Sequence, residues 1–172
     1  MIDQIFKATI TDVDELNVLI NSAYRGDSAK LGWTNESDLI DGKRIDELEL
    51  KRLLVDPNST ILKYVSKGKI IGCVLLQEEN QEMYLGMLTV KPIFQSTGIG
   101  KKLLSASEQF TKAKKYHFIK MTVISVRSEL IDFYKRHGYM DTGKRAPFPN
   151  EEERFGIPKT PLQFIVMSKE IN

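Results

Sequence analysis

Cysteine occurs once in these 172 residues, tryptophan once and histidine twice. A lone cysteine forms no internal disulfide. Cys73 lies in the apolar run Ile70-Ile-Gly-Cys-Val-Leu-Leu76, where it reads as a small buried residue in a reduced compartment rather than a catalytic thiol. His117 and His137 are far apart, with no Cys/His pattern around them, so no metal is expected. No apolar run approaches the length of a membrane span, and the polar opening Met1-Ile-Asp-Gln is unlike a signal peptide. The expected setting is cytoplasmic, with no membrane partner. Internal repeats, heptads and a low-complexity tail are also missing. No helix-turn-helix, RNP or zinc pattern accompanies the basic residues, so nucleic acid is not an expected partner.

What is present is an ordinary globular composition, 41% hydrophobic and 28% charged. The length suits one domain spanning residues 1–172 with a sizeable core. Net charge is only +2 but is unevenly spread. Residues 11–56 carry 11 acidic and 6 basic side chains, whereas residues 91–145 carry 12 basic and 4 acidic. The basic half suits a polyanionic cofactor, and the acidic half would favour a cationic acceptor. For any single charge, a solvated helix face is the simpler reading.

Apolar patterning and turn signals predict a strand at residues 5–10, then a helix capped by Thr11 or Asp12. A short helix at 37–40 and a longer one at 45–54 follow. A strand meander covers 60–66, 70–77 and 83–90, and a long helix runs from 98 to about 115. A buried strand at 118–125, a helix at 128–137 closed by Gly138, and strands at 139–144 and 162–169 complete the chain. This is a mixed α/β order with an antiparallel front half and one crossover. The connection 145–161, with four prolines, is long enough to suggest function or mobility.

The central stretch is Met83 to Leu104. A β-favouring run ends at Pro92, and Gln95-Ser-Thr-Gly-Ile-Gly100 turns into the long helix. Strand, glycine turn and helix aim free N–H groups and the positive helix end at one place, a seat for phosphate. The turn is not a Walker A loop, because position 95 is Gln and Lys102 stands where a hydroxyl would hold magnesium. Nor is it a dinucleotide fingerprint, whose third glycine would fall at Leu103.

Gln-x-x-Gly-x-Gly after a Val-x-Pro strand end resembles motif A of the GCN5-related N-acetyltransferases (GNAT). Phe133-Tyr134-Lys-Arg-His-Gly138-Tyr139 resembles the family's later Phe-Tyr-x-x-x-Gly-Phe/Tyr motif. Both fall on the expected elements in the expected order, and the likeness spans most of residues 5–169. The resemblance implies the acyl-CoA N-acyltransferase fold, a mostly antiparallel sheet of about seven strands with flanking helices. It implies acetyl-CoA as cosubstrate and transfer to a small-molecule or peptide amine. It further implies that the amides of Gln95, Ser96, Thr97, Gly98, Ile99 and Gly100, with Lys101 nearby, hold the pyrophosphate. Main-chain groups of Leu88 and Val90, freed where two strands splay, would bind the pantetheine arm as an added strand would.

Tyr134 is the candidate general acid for the departing thiolate, with a place in the core as its alternative role. No base stands out among Glu36, Asp38 and Glu82. Where many family members carry Asn, seven residues before the Tyr, this chain has Arg127, which could anchor an acidic group of the acceptor or pair with a carboxylate. Gly32-Trp-Thr-Asn-Glu36, Asp41-Gly-Lys-Arg-Ile-Asp46, Leu85-Gly-Met-Leu88 and Thr142-Gly-Lys-Arg-Ala-Pro-Phe-Pro149 resemble a bacterial subgroup of unassigned acceptor. Trp33, Glu36 and Arg127 are thus expected on the acceptor side, with segments 25–45 and 145–161 forming its wall. Dimers are common in the family. The alternative function is a non-catalytic acyl-CoA sensor.

Overall fold

The computed structural model describes residues 4–32, 34–149 and 156–172. Trp33 and the part of the long connection at 150–155 lie outside the described residues. Strand β1 (Gln4–Lys7) leads through a 3₁₀ turn at Ile10–Asp12 into helix α1 (Val13–Tyr24). Its core face is Val13, Leu16, Leu19, Ile20 and Ala23, at the spacing of one helical face. A four-residue helix α2 (Gly26–Ala29), unforeseen in the sequence, continues the chain.

The expected short helix at 37–40 does not form. One turn closes as the Leu39 and Ile40 amides reach the Glu36 carbonyl, at 2.9 Å each. The chain then becomes strand β2 (Ile40–Asp41), and Gly42 follows at φ +90°, outside helical space. Helix α3 (Glu47–Val55) is capped by Asp46, whose side chain accepts from the Glu49 N–H at 2.7 Å.

The meander is β3 (Ser59–Ser66), β4 (Lys69–Glu79) and β5 (Glu82–Val90). Helix α4 (Ile99–Ala113) crosses to β6 (Phe118–Ile124), and α5 (Ser128–Arg136) follows. The chain finishes with β7 (Met140–Pro147), β8 (Ile157–Pro158) and β9 (Gln163–Glu170). Seven strands form one sheet in the order β1-β3-β4-β5-β6-β9-β7, as expected. Only β5 and β6 run parallel, which is why a helix must join them. The described parts of the connection 145–161 include regular pairing. Its start extends β7, and β8 pairs with β2, bringing residues 157–158 onto 40–41.

Apolar clusters cover both faces of the sheet. On one side Leu16, Ile20, Leu50 and Leu53 pack on Ile61, Cys73 and Leu75. On the other Leu103 and Leu104 of α4 and Tyr134 of α5 pack on Val74, Met83, Leu85 and Met121. Cys73 is the buried residue expected, and burial pushes its thiol up to about 12. No helix among the described residues is long and apolar enough to cross a membrane.

The central strands carry the feature that shapes the site. Leu75 pairs with Gly86 and Cys73 with Thr89, so Met87 and Leu88 together oppose the single residue Val74. This is a β-bulge, with Met87 at φ 48°, and it turns β5 away from its other neighbour. Accordingly β5 pairs with β6 only at Met83–Ile119 and Tyr84–Lys120, while β6 pairs with β9 along its whole length.

Burial holds the phenols of Tyr24, Tyr134 and Tyr139 above their ordinary value of 10.0. The unfolded chain therefore gives up these protons first. Their contribution to folding is full below about pH 10 and is lost as pH rises beyond it. Thermal melts should show Tm falling above that pH, and Tyr139→Phe should make the alkaline slope shallower.

Candidate active site

The phosphate-seat turn is built from strand end to helix start. Pro92–Phe94 form a 3₁₀ turn, Ser96 sits at φ 64°, and Gly98 caps α4 at φ 89°, a conformation that a side chain would strain. The Gln95 amide does not point outward as a side-chain ligand. It donates to the Val90 carbonyl at 3.0 Å and to Thr34 Oγ1 at 2.9 Å, pinning the turn to the end of β5 and to the 32–34 loop. Gly32 leaves no room for a Cβ beside that amide. The Thr97 hydroxyl bonds back to the Phe94 carbonyl at 2.5 Å, and the Ile99 side chain is in the core. Any part these two take at the seat comes through their main chains. Lys102 turns away to the Tyr64 hydroxyl, 3.1 Å from its Nζ.

The Lys91 N–H bonds to the Ile71 carbonyl across the β4–β5 ladder. Alternation along β5 then aims the main-chain groups of Val90, and beyond the bulge those of Leu88, at the gap beside β6. Their carbonyls are not bare as expected. Tyr24 Oη donates to Leu88 O at 2.5 Å and Gln95 to Val90 O. Each carbonyl keeps a second lone pair, and the ladder to β6 ends at Tyr84, short of both residues.

Two cavities border that gap and share part of their lining. The first, about 530 Å³, gathers Leu88, Val90, Gln95, Ser96, Gly98, Gly100, Lys101 and Tyr134 from the expected residues. It adds Thr34, Glu129, Leu130, Phe133, Arg136 and His137, none of which the sequence singled out as a cofactor contact. Arg136 and His137 were legible only as the variable middle of the Phe-Tyr motif. A long cavity with amides and a helix N-terminus at one end, cations at its rim and an open strand edge along its wall fits acetyl-CoA.

The second cavity, about 240 Å³, lies under the chain segments expected to form the acceptor wall. Glu36 and Arg127 line it, as do Phe148 and Pro149 from the long connection. Arg25 and Arg44 fall within the expected wall segment 25–45 without having been singled out, and Tyr24 and Tyr84 were missed as site residues. Glu36 is buried and ion-paired with Arg25 at 3.1 Å. Arg25 also donates to the carbonyls of Gly42 and Lys43, at 3.1 and 3.3 Å. Arg127 is buried, and its Nε donates to the Glu129 carboxylate. Among the other carboxylates considered, Asp38 is exposed and Glu82 lies in a separate groove, 3.4 Å from Lys120. Neither borders this cavity.

Leu88, Leu130 and Tyr134 line both cavities. Burial, the largest influence, together with Tyr24, Tyr139 and Tyr84, keeps the Tyr134 phenol protonated well above its ordinary range; Arg127 opposes this. Among the described residues no group of His, Cys, Asp or Glu is placed to hold a metal ion.

A mixed sheet opened at its parallel pair, with a glycine turn and helix start bordering one cavity and a second cavity beside it, is the architecture of an acyl-CoA-dependent acyltransferase. The family profile described as acetyltransferase (GNAT) domain matches residues 35–164. The chain belongs to this family and is an acetyl-CoA-dependent N-acetyltransferase.

Solved structures share the fold at low sequence identity. The ribosomal-protein-S18-alanine N-acetyltransferase of Escherichia coli superposes with a TM-score of 0.72 at 14% identity, over 99% of this chain and 95% of that one. The protein smu.2055 of Streptococcus mutans gives 0.75 at 16%, over 98% and 99%. The PaiA N-acetyltransferase of Thermoplasma acidophilum, solved with coenzyme A, gives 0.69 at 19%, over 99% of both chains. A search of curated proteins returned no significant match.

Gly156 stands at φ +95° with Arg25 Nη1, the Ile40 side chain and the Asp41 carbonyl all within 3.0 Å of where a Cβ would lie. Gly156→Ala should force β8 off β2 and disturb the Arg25–Glu36 pair. The expected loss is at least about 1–3 kcal/mol, read from denaturant unfolding.

Proposed function

We propose that residues 1–172 act as one domain that transfers the acetyl group of acetyl-CoA directly to a primary amine of a small molecule or peptide. The carrying observation is the junction at Leu88, Leu130 and Tyr134, where the two cavities meet. A thioester laid along β5 would present its carbonyl there, and an amine in the smaller cavity would meet it without a covalent enzyme intermediate.

In this reading the amides from Gln95 to Gly100 and the start of α4 hold the pyrophosphate, with Lys101 and Arg136 screening its charge. The N–H groups and remaining lone pairs of Leu88 and Val90 hold the pantetheine amides. Fixing donor and acceptor in line supplies much of the rate by proximity. As the amine nitrogen bonds to the carbonyl carbon and the C–S bond breaks, the Tyr134 hydroxyl gives its proton to the departing sulfur. The proton lost by the amine leaves by way of solvent and restores the phenol. Cys73, buried on the far side of β4, takes no part. A buried free thiol accords with a cytoplasmic setting. A non-catalytic acyl-CoA sensor would need the first cavity but not the second.

Tyr134→Phe keeps the ring and removes the acid. It should lower kcat about 10²–10⁴-fold and leave acetyl-CoA affinity near that of the parent. Equal turnover by the two proteins at every pH would make Tyr134 structural. Because its phenol ionises well above 10.0, the parent's kcat should hold up to about pH 10, without the alkaline fall an ordinary tyrosine acid would impose.

A further inference from the structure

The charge lining the smaller cavity is opposite in sign to what the acidic first third of the chain suggested. Among the described residues three guanidinium groups border it, from Arg25, Arg44 and Arg127, against one carboxylate, Glu36, and Arg127 is itself paired with the Glu129 carboxylate. The Glu36 carboxylate is already engaged: its Oε2 accepts from Arg25 Nη2 at 3.1 Å and from Nε at 3.4 Å, within a pair that is almost wholly buried. The excess of acidic residues is spent elsewhere. Glu47 and Glu49 pair along α3 with Lys51 and Arg52, Asp12 pairs with Lys63, and Asp38 is exposed.

Arg44 is the telling residue. It is half-buried, its guanidinium carbon lies 5.5 Å from the centre of the Tyr24 ring, and it makes no ion pair among the described residues. Tyr24 in turn is the residue that donates to Leu88 O at the cavity junction. A cation is therefore held across an aromatic ring, next to where the two cavities meet. A polyamine-like acceptor would bring more positive charge into a confined space that already has an excess of it.

We infer, on the acetyltransferase reading above, that the acceptor is a small amine that also carries an anionic group, a carboxylate or a phosphate, and that Arg44 and Arg127 receive that group. A volume of about 240 Å³ suits an acceptor of amino-acid size. The same arginines answer the question of the base. A positive surrounding disfavours an ammonium ion, so it shifts the bound amine toward its neutral, nucleophilic form without a dedicated carboxylate. The anion of the acceptor sits at the arginines while its nitrogen faces Tyr134.

The test is thiol release from acetyl-CoA by the full chain, with acceptors in matched pairs. L-alanine is compared with its amide and L-glutamate with its diamide, phosphoethanolamine with ethanolamine, and spermidine serves as the cationic arm. The anionic member of at least one pair should have a kcat/KM about 10- to 100-fold above its neutral partner, the range of a charge-assisted contact. Carboxylate and phosphate pairs separate the two sources of anion. Arg44→Gln should bring the ratio to within about twofold of unity, and Arg44→Lys should restore part of it.

Preference for spermidine or for the neutral partners, no turnover of any anionic member, or a ratio that survives both Arg44→Gln and Arg127→Gln would overturn the inference. Calorimetry with acetyl-CoA separates this failure from that of the wider reading. If acetyl-CoA binds and neutral or cationic amines are acetylated, only the anionic-acceptor inference falls. If acetyl-CoA does not bind, both fall.

Discussion

The gap between β5 and β6 begins with one surplus residue. Met87 and Leu88 face Val74 alone, and the bend this forces carries the end of β5 out of hydrogen-bonding range of its parallel neighbour. An open strand edge inside a sheet is costly unless something fills it. Here Tyr24 and Gln95 each supply one donor, and the remaining groups face a cavity long enough for an extended ligand. The bulge, the turn that follows Val90 and the helix start at Gly98 form one continuous device of backbone, and every other part of the site is arranged around it.

Tyr24 and Tyr134 show how closely the two halves of the site are linked. Both are buried, both border the smaller cavity, and burial keeps both phenols protonated. Their use of that proton differs. The Tyr24 hydroxyl is committed to Leu88 O, so it holds the strand edge in place. Tyr134 lines both cavities, which is why the proposed acid role falls to it. The same residue type, equally buried, is committed to a main-chain carbonyl in one place and borders both cavities in the other.

Segments that looked like independent loops turn out to support one another. The short β2–β8 ribbon ties the 40–41 stretch to 157–158, and Lys159 reinforces it through the Leu39 and Ser37 carbonyls, at 2.8 Å each. Gly156 lets that ribbon lie directly on Arg25, which in turn holds Glu36 and the 42–43 carbonyls. Residues 36–43 and 156–159 therefore pack together, and changes in one are felt in the other.

The amino-acid order by itself determined the elements and the donor side. Period-two runs, helix faces at 3.6-residue spacing, and a glycine turn after a proline-stopped strand are local signals, and they led to the seven-stranded sheet with the turn between β5 and α4. The brief helix expected at 37–40 failed because pairing with residues more than a hundred positions away outweighed weak local propensity. For the second cavity the sequence offered Glu36, Arg127 and the segments 25–45 and 145–161, and only the tertiary structure showed which other side chains join them. Arg25, Arg44, Tyr84, Arg127 and Phe148 come from five separate parts of the chain, and no local pattern links them. Charge counted along the sequence suggested an acidic acceptor region, but ion pairs and exposure removed most of those carboxylates from the cavity. The field at a site depends on which groups are brought close in space and left there, and that is set by packing rather than by position in the chain.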